Sequence, residues 1–175
     1  MKMANKKNGG DNQMIQRYLP AILVLGIGCN ELFHAIFDIF SYEFKVKLVH
    51  WVISMDKTND ADALRGIDSA IGAYIAYGGI WLTHAISGVV AIVGANMLAT
   101  ADPQDAGNMQ RAYTVATSGV GLGAMLYLIG FVTIASGFFL MHSAPTPPNF
   151  LANAQRLFIC YMAVIIYLEV SKQTR

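Results

Sequence analysis

Four residues early in the chain have the types and spacing that chemistry needs: Asn30, Glu31, His34 and Asp38. Positions 30, 34 and 38 recur every four residues, so on a helix they stack along one face, which Glu31 borders. They interrupt an otherwise apolar run, YLPAILVLGIGCNELFHAIFDIF, from Tyr18 to Phe40. Ionisable groups at membrane depth are costly, and they normally face a bundle interior, a water cavity or a partner. The stripe is therefore the first candidate for a functional site.

Three chemistries compete for it. In the first, the polar groups satisfy one another and their neighbours on adjacent helices or a partner subunit, and so specify packing; His84 in the second apolar segment would join them. The second is a metal site. Glu31-x-x-His34 has the i, i+3 spacing of di-iron carboxylate bundles, but those need a second such motif, and the sequence has none. His50 and His142 could approach the outer end of the stripe, where with Glu31, His34 and Asp38 they would suit copper or zinc. The third is haem held between His34 and His84. On the spans below, His34 lies roughly 9 Å from the outer end of its segment and His84 roughly 20 Å, at 1.5 Å per residue. Axial ligands must be nearly level, so this depth difference argues against haem. A proton or transport path along the stripe would be expected to come with inverted repeats or broken helices, which the sequence lacks.

The elements that must position these residues are membrane spans. Of the 175 residues, 55% are hydrophobic and only 13% charged, against roughly a quarter charged in an average soluble domain. The apolar residues fall into four segments, about 18–40, 71–99, 113–141 and 151–170. Each is long enough for a hydrocarbon core of about 30 Å. The expected fold is all-α: an integral membrane four-helix bundle, residues 18–175, behind a polar, mobile N-terminal tail, residues 1–17. The first segment is too long, and too interrupted by polar groups, for the apolar core of a cleaved signal, so it reads as a retained span. Pro20 then occupies its first turn.

Between the first two spans, Tyr42 to Met55 (YEFKVKLVHWVISM) mixes aliphatic and aromatic residues with lysines. It suits an interfacial amphipathic helix anchored by Trp51, Lys45 and Lys47; a strand there would leave its edges unpaired. Asp56 to Asp68 should be the polar part of that connection. The second connection, Thr100 to Gln110, stops at Asp102-Pro103, and the third, His142 to Asn149, is stiffened by three prolines. Arg156, one turn into the fourth span, is a further interfacial anchor. Glycines in the first three spans suit close backbone packing. Cys29 and Cys160 lie in apolar segments and read as packing residues.

A net charge of +1 gives no support for a nucleic-acid partner. Four spans put both termini on one side with seven of the twelve basic residues, which favours cytoplasmic termini in a bacterial inner membrane. No Walker loop, GxSxG, HExxH or CxxC occurs, so no enzyme class is supported.

Several stretches in order along the chain resemble an uncharacterised bacterial group of predicted small integral membrane proteins. They are Asn30, Leu48 to Thr58 (LVHWVISMDKT), Trp81, Phe138 to Met141 (FFLM) and Gln155 to Leu168 (QRLFICYMAVIIYL). The resemblance covers nearly everything after Arg17 and implies four spans in a tight bundle. It implies no activity. Glu31 and His34 stand where other members carry different polar residues, so it implies no family-wide metal or haem site either.

The function expected from all this is a non-catalytic accessory subunit of a larger membrane complex, respiratory or otherwise oxidative, with other membrane subunits and the bilayer as partners. Bound lipid is expected and a cofactor is not. The alternative is a haem- or metal-binding redox protein using the stripe.

Overall fold

A computed structural model describes residues 4–55, 66–141 and 149–173. Within these residues the chain is helical, with no strand. The helices are α1 (Ala4–Phe40), α2 (Tyr42–Ser54), α3 (Ala70–Thr100), α4 (Ala106–Met125) and α5 (Phe150–Gln173). A π-helical segment, Leu126–Phe138, continues α4 without a break. Four stretches are long and apolar enough to cross a membrane: Tyr18–Phe40, Ala70–Thr100, Ala106–Phe138 and Phe150–Gln173. The expected four-span bundle is the observed fold.

Two boundaries differ from expectation, each for a local reason. Residues from Ala4 onward are already helical, so the polar stretch before Tyr18 prolongs α1 and Pro20 lies inside the helix rather than in its first turn. Helix propagation is cheap once a long span has nucleated it. The third span starts at Ala106 rather than Tyr113, because the Asp105 carboxylate caps the helix by accepting from the Asn108 backbone N–H at 3.0 Å. The second connection is correspondingly short. Ser69 caps α3 in the same way, through Gly72. The prolines of the third connection, with His142, lie outside the described residues, as does most of the polar stretch after Met55.

Packing runs α1 on α3, α3 on α4, and α4 on α5, with α5 returning to α1. The α3–α4 crossing is close because both helices put small residues there. A Cβ on Gly94 would lie 2.5 Å from the Ala116 backbone, so no larger residue fits. Ser87 of α3 ties the same crossing by donating to the Gly119 carbonyl at 2.9 Å.

The interfacial stretch is a helix, α2, as the amphipathic pattern predicts. Its apolar side does not simply rest among headgroups. Val46, Val52 and Ile53 are buried against Ala73 and Tyr77 of α3 and against Phe139 and Met141 beyond the π-helical segment. Phe44 and Trp51 keep their outward positions, 57% and 37% exposed.

The antiparallel register of α1 and α3 follows from three contacts. Trp81 Nε1 donates to the Ala35 carbonyl at 2.8 Å, His84 meets Glu31, and Gly88 packs under Leu32. In that register Phe40 is level with the end of the second turn of α3. The opening turns of α3 therefore stand beyond the end of α1, where Tyr42 packs on Tyr77 with ring centres 4.9 Å apart.

An intramembrane carboxylate held by four helices

Glu31 is the centre of the bundle's polar interior, with no solvent-exposed surface. The buried face of α1 runs through Val24, Ile27, Glu31, Ala35 and Asp38, at the three- and four-residue steps of a helix. Asn30 and His34 flank that line instead of defining it. The i, i+4, i+8 stripe is thus split, with Glu31 in the middle, Asn30 toward α5 and His34 toward α3.

Three helices send groups to Glu31. From α5, the Tyr161 hydroxyl donates to Oε1 at 2.5 Å. From the π-helical segment, the Tyr127 hydroxyl reaches the same oxygen at 3.3 Å. From α3, His84 Nδ1 lies 2.9 Å from Oε2. Asn30 completes the arrangement by donating from Nδ2 to the Tyr161 hydroxyl oxygen at 3.0 Å. The aromatic rings support one another: Tyr127 stands edge-on to Tyr161 at 5.5 Å and to His84 at 5.9 Å. Gly123 leaves room for the Tyr161 ring, which a Cβ there would approach to 2.6 Å.

Burying a carboxylate costs several kcal/mol unless hydrogen bonds and an opposite charge offset it. Glu31 has two hydroxyl donors and an imidazole, so its lone pairs are engaged inside the chain. The network also fixes the rotation of α1 relative to three other helices, because turning any of them breaks a bond to one buried atom.

His34 and His84 are neighbours, which corrects the depth estimate from the sequence. Their rings stack at 5.2 Å with planes 25° apart. The estimate failed because it measured both residues from segment ends, and the opening turns of α3 overhang the end of α1. Level positions do not make the pair a haem site, however. The rings lie face to face, whereas axial ligands must point their nitrogens at each other across a metal and a macrocycle. Among the described residues no three His, Cys, Asp or Glu side chains converge as a metal site would require.

The other candidates are dispersed. Asp38, 3% exposed, forms an ion pair with Lys45 of α2, so that lysine does more than anchor the interface. His50 pairs with exposed Asp68 at 3.0 Å, away from the stripe. Lys47 and Arg156 are exposed. Cys29 and Cys160 are free thiols, the first half-buried and the second exposed.

Tyr127 and Tyr161 escaped the sequence reading. The signal was available: a tyrosine in mid-span carries an O–H that lipid cannot satisfy, so it must find an acceptor, and Glu31 is a deep one.

No curated protein and no solved structure matches the chain. One family does, over residues 16–171, and its extent takes in all four spans and α2. The chain belongs to that family, DUF2165, the predicted small integral membrane proteins.

Proposed function

We propose that the chain is a non-catalytic accessory subunit that joins a larger membrane complex through its fourth span. The supporting observation is the outer face of α5. Its most apolar window is 17% buried, against 39% for the first and second spans and 33% for the third. Arg156, Ile159, Ala163, Ile166 and Val170 are all exposed and succeed one another at steps of three, four, three and four residues. That is the spacing of a left-handed helix–helix seam, with small Ala163 allowing close approach. Arg156 has no ion-pair partner among the described residues. The occupant is therefore a membrane helix of another protein, apolar along its length and carrying a carboxylate level with Arg156. The bias of basic residues favours cytoplasmic termini, and with them a bacterial inner membrane.

Gentle-detergent extraction from native membranes, native electrophoresis and mass spectrometry of the band test this. The wild type should migrate with a second membrane protein, and Ala163→Phe should release it. Ala163 is exposed, so the substitution leaves the bundle interior alone. A solitary wild-type band, or one containing only further copies of this chain, overturns the proposal.

A further inference from the structure

Beside the Glu31 network, between α3, the π-helical segment, α2 and the start of α5, lies a cavity of about 690 Å³. Ligand pockets run from about 300 to 1,000 Å³, so its size suits a small molecule. Small residues keep it open, with Gly79 on one side and Gly130 and Ala135 on the other. Its two walls differ in chemistry. The π-helical wall is apolar and aromatic, with Tyr127 stacked on Phe131 at 5.9 Å and Phe131 beside Phe150 at 6.4 Å. The opposite wall carries His34, Tyr77 and Asp38.

Two polar groups on that wall have hydrogen-bonding capacity left over. His34 stacks on His84, yet neither of its ring nitrogens makes a hydrogen bond among the described residues. Tyr77 is 3% exposed, and its hydroxyl lies near Asp38 without closing a hydrogen bond of ordinary geometry. A buried hydroxyl left in that state costs about 1–3 kcal/mol, which a bound acceptor would recover. The lysine on this wall, by contrast, is already matched, Lys45 with Asp38, and Glu31 is already hydrogen-bonded by His84, Tyr127 and Tyr161. A phosphate headgroup would meet no spare cation here, so the occupant is neutral.

We propose that this cavity binds a neutral, membrane-soluble ring compound of the lipid quinone class. Its carbonyl or hydroxyl oxygens meet His34 and Tyr77, its ring lies against the aromatic wall, and its apolar tail leaves toward the lipid. Binding alone is inferred, and it goes beyond the accessory role: a subunit could dock through α5 with this cavity filled or empty.

The test is equilibrium binding of a tritiated, decyl-tailed benzoquinone to the full chain in phosphatidylcholine nanodiscs. Saturable binding near one per chain is expected. His34→Leu should weaken it about tenfold, as loss of one hydrogen bond implies, and His34→Gln should restore most of it. Ala135→Trp, which fills the cavity from the apolar wall, should abolish it; this variant keeps the test informative if His34→Leu does not fold. Non-saturable partitioning, equal in wild type and Ala135→Trp, overturns the proposal. So does equally effective competition by diacylglycerol, which would assign the cavity to acyl lipid.

Discussion

Two carboxylates on one helix face, Glu31 and Asp38, are almost equally buried and are stabilised by opposite means. Glu31 lies at mid-membrane, and its partners are two hydroxyls and an imidazole from three other spans. Asp38 lies two turns closer to the surface, and its partner is the ammonium of Lys45, whose side chain remains 28% exposed. Depth accounts for the difference. A lysine near the interface keeps its head partly in water while reaching an acid below, so its own desolvation is modest. At mid-membrane no side chain has that route, and groups that cost less to bury must share the work. The deep site consequently ties helices together, whereas the shallow one ties α2 to the end of α1.

Substitutions can break this comparison, and the largest effect should fall on the deep site. Glu31→Ala leaves Tyr127, Tyr161 and His84 without their common acceptor and should cost about 3–5 kcal/mol. Denaturant titration in mixed micelles measures it; a loss as small as that of a surface mutant would mean the network contributes little. Next comes Lys45→Met, which strands the Asp38 charge and should cost about 2–3 kcal/mol. Adding Asp38→Asn should return most of that loss, and no such rescue would show that the lysine acts by packing. The smallest contrast lies within the deep site itself. Tyr161→Phe should cost about 1–2 kcal/mol and Tyr127→Phe about 0.6, since the first bond is much shorter and membrane hydrogen bonds average near the latter value. A reversed order would make Tyr127 the principal donor.

The four spans and the interfacial helix are plain in the sequence because lipid imposes simple rules of length and polarity. The polar residues are equally visible, since any carboxylate in a span stands out. Their pairing is not. Lys45 reads as an anchor until the turn at Ser41 folds α2 back beside Asp38, and His34 and His84 seem mismatched in depth until the register of α1 against α3 is known. Tyr127 and Tyr161 are hidden for another reason. Tyrosine is common near membrane surfaces, and only the tertiary arrangement shows that these two point at one acid. The π-helical segment is the least legible element. Its backbone bonds reach back five residues, as from the Phe139 N–H to the Ile134 carbonyl, and no side-chain pattern in LYLIGFVTIASGF announces them.

The overhang of α3 also bears on the surrounding bilayer. The first span is 23 residues long, about 35 Å, and the second is 31 residues, about 46 Å. The extra turns of α3 are not dressed for water: Ile71 and Ile75 are more than 70% exposed there, and Ile67 just before them is 50% exposed. Lipid must rise to cover them on that flank while meeting the lower end of α1 on the other. Around its own circumference the protein therefore asks for two membrane thicknesses, and the lipids bordering it form a slope rather than a level ring.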